Sequence, residues 1–371
     1  MKSRLYGVDH MANITMPSQI IPTPLWRTLV LSVGFVAVVI ACAVSCSSLG
    51  AVTSPGALDS AEYLSVDGAE LYLHVRGADS RAPVMLWLHG GPGGAERPLF
   101  RYYNSEIENH FVVVYWDQRG AGRSFSDQAN PSLLTVARHL ADLDSVVDHL
   151  MRTLRRDRVV LVGHSWGSAL GMLYARAHPE KVSAFVGVNQ IVSMREAHVA
   201  EYTFLKKEAA RRGDEKMLRR LEAIGAPPFD SAKEAFAVEE LVKEYGGLFH
   251  QEPNRFWVAF CGIFRGLVTP WEIPRFIRAN NVSLEAMHDE LLKLDLARDV
   301  PALDVPVLFF LGRYDRHTDS EIASTYFGHL KAPLKRLIWF DESAHNIPFE
   351  EADRFNTTLV RELQALGILQ R

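Results

Sequence analysis

Residues 163–167 read Gly-His-Ser-Trp-Gly. A serine flanked by glycines two positions on either side is suited to nucleophilic attack on an acyl carbon from a sharp turn. The run before it, Arg158-Val-Val-Leu-Val162, is β-branched and short enough for a buried parallel strand. The run after it, Ser168 to Ala177, has helical composition. A strand that turns at once into a helix cramps the backbone between them. Gly163 and Gly167 remove the side chains that would collide there, and Ser165 is held at the tip with its hydroxyl above the end of the sheet.

A serine hydroxyl is a weak nucleophile at neutral pH. It needs a base to take its proton and a third group to orient that base. For a nucleophile on this kind of turn, the chain order is serine, acid, histidine. The apolar run Val305–Leu311 ends in Gly312-Arg-Tyr-Asp315, which places Asp315 just past the carboxyl end of a strand. Arg336–Phe340 ends in Asp341-Glu-Ser-Ala-His345, which places His345 in the loop after the last strand. Asp315 is therefore expected to orient, and His345 to act as the base. His317 is the rival base. It is set aside because a side chain from the acid's own loop reaches over the nucleophile less well than one from a separate loop. His164 is read as packing against or orienting nearby backbone, and Asp319 as a helix cap. The oxyanion formed on attack needs fixed donors. The backbone N–H of Trp166 is one candidate. The N–H of Gly91, in the turn His89-Gly-Gly-Pro-Gly-Gly94, is the other, because glycines let backbone approach a substrate closely. The segment Asp117-Gln-Arg-Gly-Ala-Gly-Arg-Ser124 is read as a braced loop, with Arg119 and Arg123 bonding carbonyls and carboxylates. The sequence has no phosphate-loop ending and no histidine pair at metal-ligand spacing.

Elements that could position these residues follow from the patterning. Residues 62–75 predict a hairpin about Asp67-Gly68. Val84–Leu88 and Phe111–Trp116 predict buried strands, and apolar residues from Val136 to Leu154 recur at helical spacing. The elbow strand and helix follow, then a strand over Val182–Val188. Residues 190–300 are strongly helical. Alternation resumes with the Val305 strand, a helix near 319–329, the Arg336 strand and a last helix near 349–366. Strands alternating with helices predict an α/β fold whose central sheet is mostly parallel and covered on both faces. An all-helical block between its halves predicts an inserted cap above the strand ends. The expected organisation is a core over 58–189, a helical cap over 190–300 and the rest of the core over 301–371.

The chain has 371 residues, is 48% hydrophobic and carries a formal net charge of −4, with no basic run to engage nucleic acid. Its three cysteines cannot make a disulfide framework; Cys261 is expected as a buried small hydrophobe. Residues 1–49 are expected to form an N-terminal anchor or signal segment. Within it Thr28–Cys46 has no charge over 19 residues, close to the ~20 needed to span a bilayer. Lys2, Arg4 and Arg27 precede it and Arg76 is the next basic residue. This bias predicts membrane attachment by a single span, with the catalytic domain outside the cytoplasm. A cleaved signal is the alternative, or a lipoprotein with Val39-Ile-Ala-Cys42 as the lipidation site. Residues 47–57 read as a flexible linker.

Taken together, His89-Gly-Gly-Pro-Gly-Gly94, Asp117 to Ser124 and Gly163 to Ser168 resemble the proline iminopeptidase family of α/β-hydrolases. The likeness covers roughly 60–190 and 300–350 and implies the α/β-hydrolase fold. It further implies a serine hydrolase that releases N-terminal residues, typically proline, from small peptides. Ser165, Asp315 and His345 would be its triad, with no cofactor. Such enzymes read the substrate's free amine with cap carboxylates near the segment after the sixth core strand. Here that segment, Val188 to Glu196, departs from an arginine-glycine pattern. Glu196 and Glu201 are the candidate amine readers, although a charged helix face also accounts for each. Phe256, Trp257, Phe260 and Trp271 could line an apolar pocket or simply pack the cap. The alternative substrate is a carboxylic ester or another small acyl compound.

Overall fold

The computed structural model describes residues 56–369 apart from Asp230 and Glu252. The expected span Thr28–Cys46, with Cys42 and Cys46, lies outside the described residues. Among those described, no helix is long and apolar enough to cross a membrane.

Eight strands form one sheet: β1 (Leu58–Val66), β2 (Ala69–Gly77), β3 (Val84–Leu88), β4 (Val112–Asp117), β5 (Val159–His164), β6 (Val182–Val188), β7 (Val307–Gly312) and β8 (Lys335–Phe340). Their order is β1-β2-β4-β3-β5-β6-β7-β8. The hairpin β1–β2 pairs antiparallel and joins β4 antiparallel, while β3 to β8 run parallel. The hairpin turn is Asp67-Gly68, both with positive φ, as the right-handed strand twist favours.

Strand ends differ from the sequence expectation where one chemical group matters. Val305 and Pro306 stay outside β7, because proline offers no N–H to a ladder. Pro306 still contributes its carbonyl, which accepts from the Phe185 N–H at 3.0 Å. The last helix is two: Ile347–Glu350 and Ala352–Ala365. The helix Arg97–Asn104 was not expected; proline at its first turn suits it to start there.

Alternate residues along the strands feed two cores. Leu86, Val114 and Leu161 pack with Leu143, Val146 and Ala169 on one face. Trp87, Val113 and Val160 pack with Phe100, Phe355 and Leu359 on the other. Both faces are therefore covered by helices, and the strands must be apolar at every position. The insertion between β6 and β7 is helical. Its helices Met194–Arg212, Glu215–Ile224 and Ala232–Glu244 share a separate core of Leu205, Met217, Leu221 and Val238.

Arg119 ties this frame to the loop after β4. Its guanidinium donates to both oxygens of the buried Asp142, at 2.6 and 2.8 Å, and to the Val66 carbonyl at 3.0 Å. Arg119→Ala leaves Asp142 charged, buried and unpaired. We expect a loss of about 3–5 kcal/mol, measured as a lower urea midpoint at an unchanged slope. A loss below about 1 kcal/mol would show that the pair is only a surface-grade contact.

Candidate active site

Every loop that carries a candidate residue leaves the same edge of the sheet, because β3 to β8 are parallel and their carboxyl ends align. His89 follows β3, Gln118 follows β4, Ser165 follows β5, Asn189 follows β6, Asp315 lies three residues past β7, and His345 five past β8.

Ser165 has φ 53° and ψ −121°, a strained conformation between β5 and the helix Trp166–Ala177. Its N–H donates to the Val188 carbonyl at 3.0 Å, and its carbonyl accepts from the Ser168 hydroxyl and N–H. The flanking glycines are required by contact. A Cβ on Gly163 would lie 2.2 Å from the Gly167 carbonyl oxygen, and one on Gly167 2.0 Å from that of Leu88.

The glycine turn after β3 lies against the elbow: a Cβ on Gly90 would sit 3.2 Å from the Ser165 Cβ. Gly91 lines the same cavity as Ser165. Its φ of +108° excludes a side chain comfortably. His89 holds this turn as a neutral imidazole. Its Nδ1–H donates to the Gly90 carbonyl at 2.8 Å, and its Nε2 accepts from the Gln118 N–H at 3.0 Å. Burial pushes its pKa down in agreement. The Gln118 side chain completes the bracket, donating to the His89 carbonyl and accepting from the Trp166 indole. Arg123 has the bracing role expected of it. It donates to Glu272 at 2.6 Å and to the Tyr72 hydroxyl, so the loop is tied to the inserted helix Glu272–Lys293.

The His345 Nδ1–H donates to Asp315 Oδ2 at 2.9 Å. Asp315 also accepts from the backbone N–H of His317 and Thr318 and from the Thr318 hydroxyl. Burial disfavours its charge. The attraction of His345, its hydrogen bond, the charge of His317 and the Thr318 hydroxyl together outweigh burial and hold its pKa down to about 2. Burial pushes His345 down despite Asp315, and the nearby His317 and His164 push the same way. His317 does not compete for the acid's carboxylate. Its Nδ1 is bonded to Glu201 Oε1 at 2.7 Å, and its ring stands edge-on to that of His345 at 4.8 Å.

The cavity at Ser165 is lined by Gly91, Met194, His198, Glu201, Glu239, His288 and His317, with apolar residues such as Ile191, Leu284 and Leu291. Glu201 is 1% exposed and its Oε2 has no hydrogen-bond partner; His198 Nδ1 and His288 Nε2 are likewise unpartnered. Burial pushes Glu201 up to about 7. Burial also works against charge on His317, but Glu239 and Glu201 outweigh it and raise it to about 10. Glu196 needs correction. It lines a different cavity, with Val192, Glu321 and His329. Five residues along a helix rotate a side chain by about 140° at 3.6 residues per turn, so Glu196 and Glu201 cannot face one site. Trp257 and Trp271 are also absent from the Ser165 cavity, and Trp271 is 81% exposed.

Sequence reasoning missed Glu96, Gln118, Asn189 and Glu239 as site residues. Of these, Gln118 sat inside a motif already singled out, and Asn189 sat directly after a predicted strand on the active edge. Glu96 and Glu239 carried no local signal.

A family model described as alpha/beta hydrolase fold matches residues 83–352. The chain is 29% identical over 306 residues to a probable aminopeptidase of Bacillus subtilis (strain 168), covering 80% of this chain and 94% of that protein. It is 25% identical over 299 residues to a proline iminopeptidase of Saccharolobus solfataricus, covering 79% and 88%. Among solved structures, the proline iminopeptidase of Mycobacterium smegmatis aligns with a TM-score of 0.59 at 18% identity, over 83% of this chain and 98% of that one. A proline iminopeptidase-related protein of Thermus thermophilus aligns with a TM-score of 0.58 at 21% identity, over 83% and 98%. The structural likenesses speak for the fold alone.

Proposed function

This chain belongs to the α/β-hydrolase family, and from that premise we propose that it is a serine aminopeptidase of the proline iminopeptidase type. Ser165 attacks the carbonyl of the first residue of a small peptide, and His345 takes the hydroxyl proton. Asp315 holds the His345 tautomer whose Nε2 can accept it. The N–H groups of Trp166 and Gly91 receive the oxyanion. His345 then returns the proton to the leaving amine, and water releases the acyl group from Ser165.

The observation that carries the peptidase reading is Glu201 Oε2, buried and unpartnered in the Ser165 cavity. An orphaned carboxylate oxygen is costly unless a ligand supplies a donor, and a substrate ammonium supplies several. Glu239 adds a second carboxylic side chain to the same cavity, beside the raised-pKa imidazole of His317. Relatives named as aminopeptidase and proline iminopeptidase support the same choice.

Paired assays test it. A proline arylamide should be cleaved; turnover of a short-chain nitrophenyl ester with no arylamide turnover would replace this reading with an esterase. Glu201→Gln should raise KM for the arylamide by about 10- to 100-fold, the worth of a hydrogen bond to a charged group, with kcat changed far less. In the wild type the same KM should rise as pH falls below about 7. Glu201 is protonated there and can no longer balance an ammonium. An unchanged KM in Glu201→Gln would remove this residue from substrate binding.

A further inference from the structure

His164, the second residue of the elbow pentapeptide, is fully enclosed and bonded at both ring nitrogens. Its Nδ1 meets Glu96 Oε1 at 2.7 Å, and its Nε2 meets the backbone carbonyl of His345 at 2.8 Å. Both partners are acceptors only, so satisfying both requires a proton on each nitrogen. Glu96 is fixed in turn by the Trp87 indole N–H at 3.2 Å, and the indole stacks on the His164 ring. The His345 carbonyl accepts a second bond, from Asn189 Nδ2 at 2.6 Å, while Asn189 Oδ1 accepts from the Gly312 N–H at the end of β7.

We propose that His164 is a positioning residue, a clamp that donates from both ring nitrogens, runs from Glu96 to the backbone of His345 and fixes the loop of the general base relative to the serine next to His164 in the chain. The proposal rests on the triad assignment above. It gives a reason for histidine at this position: no other side chain offers two opposed N–H donors across a flat ring. The clamp joins the nucleophile's own turn to the base's loop, so a shift of one carries the other. Asn189 does the same for the acid's loop.

The clamp also sets the charge that His345 feels. The groups facing His345 are Asp315, the ring of His317 and the ring of His164 at 5.1 Å, with Glu96 behind it. Glu350 holds the flanking N–H groups of Ala344 and Asn346. Burial opposes charge on His164, but Glu96 outweighs it and raises its pKa. An imidazolium at this distance disfavours a second proton on His345.

The test uses His164→Gln combined with Glu96→Gln, which removes both charges together, and reads the rate at which a fluorophosphonate labels Ser165 across pH. This readout is independent of the natural substrate. Labelling by the double variant should be about 10- to 100-fold slower, the scale of a misplaced catalytic group. Its acid limb should move to higher pH, because His345 loses a neighbouring cation. A folded double variant with wild-type rate and an unmoved acid limb would overturn the clamp while leaving the triad intact. No labelling of the wild type would overturn the triad, and the clamp with it. If the double variant does not fold, Glu96→Gln alone decides. It should slow labelling increasingly as pH rises and His164 loses its second proton, and a profile matching that of the wild type would refute the proposal.

Discussion

Ser165→Ala should lower turnover by about 10³-fold or more, because members of a triad act as one unit and the residue left behind retains only binding and oxyanion stabilisation. The fold should survive. The bonds that anchor this residue run through its N–H to Val188 and its carbonyl to Ser168, and alanine keeps both. Alanine also tolerates a positive φ no worse than serine does. The check is a matched measurement of kcat and of circular dichroism, with fluorophosphonate labelling confined to the serine enzyme. An alanine variant that works at near wild-type rate would end the nucleophile assignment.

Asp315→Asn should be more severe relative to the small change in volume, lowering kcat by about 10⁴-fold. An amide turned toward His345 presents N–H to Nδ1 and moves the ring proton to Nε2. That nitrogen then cannot accept the serine proton. KM should change little, since Asp315 does not line the cavity at Ser165. The pH profile checks the same arrangement from another side. With His345 as the proposed base, turnover needs it neutral, so kcat falls as pH drops through its pKa. Burial holds that pKa below the ordinary histidine value near 6.5. The kcat for the arylamide should therefore persist into mildly acid solution before its acid limb begins, while KM carries the separate Glu201 limb at about 7, and a kcat limb well above 6.5 would contradict His345 as the base. Asp315 is held near 2 and contributes no limb in this range.

The strand–turn–helix around Ser165 was legible because each part of it is local. A β-branched run, a glycine two residues before the serine and another two after it leave the backbone few alternatives. The ends of β7 and β8 were legible for a similar reason: an apolar run stops where polar residues begin, and parallel strands stop at one edge. That logic placed Asp315 and His345 in adjacent loops, where they make their 2.9 Å bond. His317, the rival read from the same loop as Asp315, is bonded to Glu201 instead. The bracing role of Arg119 and Arg123 followed from residue type, since long cations among turns seek carbonyls and carboxylates.

Local patterning could not assign partners across elements. Glu96 and His164 are 68 positions apart, and Asn189 reaches a carbonyl 156 positions away. Such pairs form only after the sheet has brought its loops to one rim, and their energy depends on distances that no short window of residues encodes. Glu196 and Glu201 make the same point at closer range. Both are acidic residues of one helix, and the rotation of that helix on the core turns one toward the serine and the other away. Residue type and spacing thus dictated which atoms could react and which edge would carry them. Packing of the inserted helices and the meeting of distant loops dictated which charges face the reaction, because charge and hydrogen bonding act through space rather than along the chain.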